Sequence, residues 1–251
     1  MILDKFSLNG KVAIVTGSDT GLGQGFSKAF VEAGAKVLGV SVVPSTATQE
    51  MLGKENFEFI QADLSTLDPI DNIVKTAVDT FGHVDILVNN AGVIKREDTI
   101  DFSVESWDLV MNVNLRTLFF LSQAVAKQYM KQGTGGKIIS VASMLSYQGG
   151  IRVPSYTASK SGVKGITMTM ANEWASKGIN VNAIAPGYMA TNNTKALRAD
   201  ADRSEAILDR IPAGRWGTPD DIMGAAVFLA SSASDYINGF TIAVDGGWLG
   251  R

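Results

Sequence analysis

The 251-residue sequence contains no cysteine and a single histidine, His83. The first absence excludes disulfides, thiolate nucleophiles and cysteine-bound metals, and no metal site is expected. The second leaves little room for a Ser-His-Asp triad. His83 precedes the fourth expected strand, at the end of a sheet opposite to that where ligands bind in α/β proteins, and a solvated loop role suits it better. There is also no excess of positive charge. The 22 Lys and Arg are outnumbered by 25 Asp and Glu, for a formal net charge of −3 and a pI of about 5.2. Such a surface repels nucleic acid and anionic membranes, so neither is an expected partner. No segment approaches ~18 uninterrupted apolar residues. Asp4 and Lys5 break the N-terminal stretch, which has no small-residue cleavage site. No membrane span and no signal peptide are expected, and the chain reads as cytoplasmic.

What is present is hydrophobic residue, 45% of the chain, enough for a sizeable core. It falls in short Val- and Ile-rich runs separated by helical stretches. Strands are expected at Lys11–Thr16, Lys36–Ser41, Phe57–Ala62, Asp85–Asn89, Lys137–Val141, Asn180–Ile184 and Phe240–Val244. Helices are expected at Leu22–Ala33, Ile70–Phe81, Val104–Gln132, Ser155–Ser176 and Pro219–Ala230. Continuous apolar strands alternating with helices imply a parallel sheet covered on both faces. Right-handed crossovers make it doubly wound. The expectation is therefore a single α/β domain over residues 1–251, with a seven-stranded sheet. One long irregular stretch, about Gly187–Trp216, reads as a substrate-binding loop.

Chemistry-bearing residues cluster at the carboxyl ends of these strands. After the first comes Thr16-Gly17-Ser18-Asp19-Thr20-Gly21-Leu22-Gly23. Glycines here let backbone approach a phosphate, and the following helix aims free N–H groups and its positive end at it. Asn89-Asn90-Ala91-Gly92 follows the fourth strand, and Asn114 lies in the long helix. Ser143 follows the fifth strand, and Pro186-Gly187 the sixth. Tyr156 and Lys160 stand four apart on one helical face. A free tyrosine titrates near ~10, and a neighbouring ammonium is expected to lower that value. So tuned, Tyr156 can exchange a proton with a substrate oxygen that Ser143 holds.

Taken in this order, from about Lys11 to Trp248, these motifs resemble the short-chain dehydrogenase/reductase family and a Rossmann-type fold. The resemblance implies that Ser143, Tyr156, Lys160 and Asn114 form the catalytic group, with Lys160 also on the nicotinamide ribose and Asn114 supporting a proton-relaying water. It implies a nicotinamide cofactor along Gly17, Ser18, Thr20, Gly21, Leu22 and Gly23, then Asn90, Ala91, Gly92, Tyr156 and Lys160. Ser41, Asp63 and Leu64 would lie toward the adenine end, and Pro186, Gly187, Met189 and Thr191 toward the carboxamide. It further implies a homotetramer, built on the long helix and its successor together with the last strand, with Trp248 able to reach a neighbour.

Cofactor choice departs from the family pattern. Ser41 stands where an acid selecting NAD would be, yet no cation for a 2′-phosphate is present either. NAD is the expectation, with NADP second.

On the substrate side, Arg96 and Arg152 suit a carboxylate, and the amides of Gln148, Asn192 and Asn193 suit sugar hydroxyls. Either arginine can instead pair with Glu97, Asp98 or a loop carboxylate. The segments Ala171–Ala175, Ile211–Gly217 and the Asp-Gly-Gly-Trp end resemble a branch of the family that serves breakdown of pectin-type uronic acids. That implies interconversion of 3-deoxy-D-glycero-2,5-hexodiulosonate and 2-dehydro-3-deoxy-D-gluconate, or oxidation of 2-deoxy-D-gluconate at C3. Two alternatives stand beside it: reduction of carrier-protein-bound 3-oxoacyl groups, and a nicotinamide-binding regulator without turnover.

Overall fold

A computed structural model describes all of residues 1–251. Seven strands form one fully parallel sheet: β1 (Val12–Thr16), β2 (Lys36–Ser41), β3 (Phe57–Gln61), β4 (Ile86–Asn89), β5 (Gly136–Val141), β6 (Ile179–Pro186) and β7 (Thr241–Val244). Their spatial order is β3-β2-β1-β4-β5-β6-β7. The order reverses between β1 and β4, which opens a crevice at their carboxyl ends.

Each strand is apolar on both faces because each face is covered. In β1, Ile14 packs on one side, while Ala13 and Val15 pack on the other. Helices α3 (Ile70–Phe81), α5 (Thr117–Gln132) and α6 (Pro154–Trp174) cover the first face through Ile73, Leu121, Tyr129 and Met170. Helices α1 (Gly21–Glu32) and α9 (Pro219–Ala230) cover the second through Phe26, Phe30, Ile222 and Leu229. Each such fully buried side chain contributes about 1.5–3 kcal/mol relative to exposure.

Three features differ from the sequence expectation. A short helix, α2 (Thr46–Leu52), follows β2 where none was assigned. The long helix is continuous in space but interrupted in geometry: α4 (Val104–Met111) passes through a π turn at Asn112–Arg116 into α5. By length and composition Val104–Gln132 is apolar enough to cross a membrane. Here it is a core helix, since Leu121, Val125 and Tyr129 lie buried against the sheet. Finally, Gly187–Trp216 is not irregular. It holds a 3₁₀ turn at Asn192–Thr194 and helices α7 (Lys195–Ala199) and α8 (Ala201–Leu208). Its base is closed by a parallel bridge between Met189 and Gly217, with the Ala190 N–H bonded to the Gly217 carbonyl at 2.7 Å. Arg215 grips Asp221 at the start of α9 through two hydrogen bonds of 2.6 and 2.8 Å.

One buried polar contact fixes β4 against α5. The Asn89 amide donates to Ser122 Oγ at 2.9 Å, and Ser122 donates onward to the Leu118 carbonyl at 2.8 Å. Ser122→Ala removes the acceptor and strands a buried amide. The expected loss is about 1–3 kcal/mol. Calorimetry should show a fall in Tm of roughly 2–4 °C per kcal/mol.

Candidate active site

The crevice at the β1–β4 reversal is a cavity of about 320 Å³. On one side it is lined by the glycine turn at Gly17, Thr20, Gly21 and Leu22, and by the β4 turn at Asn90, Ala91 and Gly92. Ser143, Tyr156 and Lys160 line it from the β5 and α6 side. Pro186, Gly187, Met189, Thr191, Asn192 and Asn193 close it from the segment after β6. The structure thus brings together most of the residues named from sequence.

The two turns are locked together. Thr16 Oγ1 accepts from the backbone N–H groups of Asn90 and Ala91 at 3.0 and 2.9 Å. The Asn90 side chain donates to the carbonyls of Thr16 and Gly17. A Cβ on Gly23 would lie 1.9 Å from the Gly17 carbonyl oxygen, so only glycine closes this turn. Gly21, at φ +60°, faces Thr191, with which an added Cβ would make ordinary contact at 3.8 Å. A backbone cradle at a helix N-terminus, open on one side, fits a pyrophosphate.

Several expected cofactor residues do not line the cavity. Ser18 is buried and its hydroxyl pairs with Ser45 at 2.9 Å. Gly23 supports the turn from within. Ser41 is buried and donates to Asp19 Oδ1 at 2.6 Å. Asp63 accepts from the Ser65 N–H at 2.8 Å, and Leu64 belongs to the core. The unforeseen members are Thr16, as the clasp just described, and Asp19, Val141, Ala142 and Thr194, which line the cavity. Asp19 had a visible signal, being the one acidic residue inside the glycine turn.

At the far end, Lys160 is buried and donates to the Val141 carbonyl at 2.6 Å. Burial lowers its pKa from 10.5 to about 8. Tyr156 corrects an expectation. Burial raises its phenol above the usual tyrosine value, opposed by the Ser143 hydroxyl and by the charge of Arg96. Desolvation of the phenolate thus outweighs the help expected from Lys160, whose ammonium lies 5.6 Å from the ring centroid. A phenol kept protonated is poised to donate. Ser143 also caps the 3₁₀ turn after β5, accepting from the Leu145 N–H at 3.1 Å. Asn114 is fully buried at the π turn. Its side chain makes a reciprocal pair with the backbone of Val93, at 2.8 and 2.9 Å, and reaches Ser159 at 3.3 Å. Both side-chain N–H groups are thus engaged within the fold, while Oδ1 keeps one lone pair. A π turn at such a position is a common mark of a functional site.

The expected substrate residues divide. Arg152, at φ +64°, pairs through Nε with the exposed Asp98 at 2.8 Å, which leaves only its terminal amino groups for another carboxylate. Gln148 accepts from the Trp248 indole at 3.2 Å. Trp248 itself is buried among Met144, Ile207 and Ile211 of its own chain, beneath Arg210, and so does not reach toward a neighbour. Glu97 accepts from Ser103 and Ser106 at the start of α4, bonds that hold its carboxyl below the usual range. Arg96 forms no ion pair and acts on Tyr156. His83 pairs with Asp85 at 2.9 Å at the opposite end of the sheet.

A sequence profile described as enoyl-(acyl carrier protein) reductase matches residues 17–249. The 2-dehydro-3-deoxy-D-gluconate 5-dehydrogenase of Escherichia coli (strain K12) is 64% identical over 254 residues, covering 100% of both chains. The chain belongs to the short-chain dehydrogenase/reductase family. Among solved relatives, a candidate 2-deoxy-D-gluconate 3-dehydrogenase from Agrobacterium tumefaciens with bound NADP shares 53% identity, with a TM-score of 0.93 and coverage of 99% and 100% of the two chains. A gluconate 5-dehydrogenase from Burkholderia cenocepacia J2315, in complex with NADP and tartrate, shares 35% identity with a TM-score of 0.93 and 100% coverage of both. The protein is accordingly an oxidoreductase of this family that uses a nicotinamide cofactor.

The buried ammonium generates a prediction. Folded Lys160 sheds its proton near pH 8, whereas the unfolded chain keeps it to about 10.5. Below pH 8 its burial costs stability, and between these values wild-type stability rises with pH because the unfolded state binds the extra proton. Lys160→Met should cut turnover by at least about a hundredfold. At pH 7 it should nevertheless melt no lower than wild type, and any advantage should shrink from pH 8 upward in paired calorimetric scans.

Proposed function

We propose that the protein interconverts a keto and a hydroxy group on a deoxy sugar acid, with 3-deoxy-D-glycero-2,5-hexodiulosonate and 2-dehydro-3-deoxy-D-gluconate as its pair and NAD as its preferred nucleotide. The observation that carries this reading is the full-length 64% identity to an enzyme named for that substrate, with Ser143, Tyr156 and Lys160 together on one cavity.

The bound nicotinamide supplies or accepts the hydride. The chain's own residues handle position and proton. Ser143 holds the substrate oxygen, and the protonated Tyr156 donates to it as it becomes an alkoxide. In oxidation the same phenol oxygen accepts the proton back. Lys160, fixed by the Val141 carbonyl, supports the phenol and reaches the ribose. Asn114 shapes the π turn beside them and sustains the proton path. Asn192 and Asn193 present amides to the sugar hydroxyls from the cavity wall. Arg96 replaces Arg152 as the proposed carboxylate anchor, because its guanidinium is unpaired and felt at Tyr156. The segment 187–216, closed at its base by the Met189–Gly217 bridge, forms the substrate loop. A cytoplasmic homotetramer in the breakdown of pectin-type uronic acids completes the reading. The exposed Phe120, Met130 and Met168 on α5 and α6, and Phe240 beside β7, suit contacts between copies.

Steady-state kinetics with NADH and the keto sugar acid test the anchor. Arg96→Ala should raise KM for the acid by about tenfold or more, the scale of one lost charge-assisted pair, with a smaller effect on kcat. Arg152→Ala should raise it less. The reverse ranking would return the anchor to Arg152.

A further inference from the structure

We infer that Asp19, inside the glycine turn, supplies the carboxylate that receives the adenosine ribose hydroxyls and turns away a 2′-phosphate. The inference rests on the reading of this cavity as a dinucleotide groove.

In doubly wound folds the ribose-binding acid usually stands at the end of the second strand. Here that place belongs to Ser41, which is buried and cannot itself present a charge. Its hydroxyl instead donates to Asp19 Oδ1 at 2.6 Å. The strand end therefore orients a carboxylate brought from the neighbouring turn. Asp19 is half-buried and lines the cavity. Its second carboxylate oxygen, Oδ2, has no partner in the protein and is free to accept from a ribose hydroxyl.

The turn around Asp19 is braced. Thr48 of α2 donates to the Ser18 carbonyl at 2.8 Å, and Gln24 donates to Thr48 at 3.1 Å. Ser45, just before α2, pairs with Ser18. The helix absent from the sequence expectation thus serves to hold this loop.

Charge points the same way. No Lys or Arg occurs between Lys11 and Lys28, or between Lys36 and Lys54. These stretches contain the glycine turn, the β2 end and α2. A 2′-phosphate placed there would meet a carboxylate and no cation, whereas a hydroxyl would meet an acceptor. NADP in the solved relatives shows that the family's groove admits the phosphate in those proteins. The Asp19–Ser41 pair is what would set this chain against it.

Calorimetric titration of NADH and NADPH, without substrate, decides the point in wild type, Asp19→Asn and Ser41→Ala. Asp19→Asn keeps the side-chain shape and an acceptor for Ser41 but removes the charge. Wild type should bind NADH more tightly than NADPH by at least about tenfold. Asp19→Asn should shrink that ratio by about tenfold, mainly by tightening NADPH. Ser41→Ala, which frees the carboxylate without removing it, should shrink the ratio less. A wild type that binds neither nucleotide would contradict the groove itself. A wild type that binds both, with a ratio that Asp19→Asn leaves within about twofold, would contradict only the role of Asp19.

Discussion

Lys160 carries its ammonium into a site that offers it a backbone carbonyl and no carboxylate. The 2.6 Å bond to Val141 joins α6 to the end of β5, and so sets where Tyr156 and Ser143 stand relative to each other. Burial without a counter-charge costs folding energy, which is why the lysine's pKa falls to about 8. The same burial keeps the Tyr156 phenol protonated. In the proposed reaction the protonated Tyr156 and the lysine of lowered pKa act as a proton-transfer pair, arranged at the expense of stability rather than in its favour. The rest of the fold supports this placement. The sheet order opens the crevice, Thr16 clasps the two turns on its other side, and the Asn89–Ser122 contact ties β4 to the helix behind.

The cavity has two ends with different electrostatic characters. The Tyr156 end holds the buried Lys160, and Tyr156 feels the charge of Arg96. The Asp19 end carries an acid and no cation at all. A dinucleotide laid along the groove as proposed would meet the Asp19 carboxylate at one end and the Tyr156 hydroxyl at the other.

Much of this was legible in the sequence, for a physical reason. Strand and helix periodicity reports burial on two faces, and the seven strands and five main helices follow from it. Glycines at Gly17, Gly21 and Gly23, and the four-residue step from Tyr156 to Lys160, are local patterns that survive any tertiary context. What escaped depends on contacts distant in sequence. The Asp19–Ser41 bond spans two strands, the Arg152–Asp98 pair engages an expected anchor, and Trp248 folds back onto Gln148. Helix α2 is only seven residues long, and its Thr-rich start has weak helix propensity. Helices α7 and α8 are only five and eight residues long, too short for a sustained apolar stripe to announce them. The effect of burial on Tyr156 also lay beyond a reading of neighbours, because desolvation depends on everything that covers the phenol.

In the proposed reaction Tyr156 exchanges the proton with the substrate oxygen. The most direct measurement is the NADH-dependent reduction of 3-deoxy-D-glycero-2,5-hexodiulosonate by wild type and Tyr156→Phe, with NADH binding measured on both. Wild type should turn over, while the variant should nearly retain NADH affinity and lose at least about a hundredfold in kcat. A Tyr156→Phe enzyme that binds NADH normally and keeps kcat within about threefold of wild type would contradict this role of Tyr156.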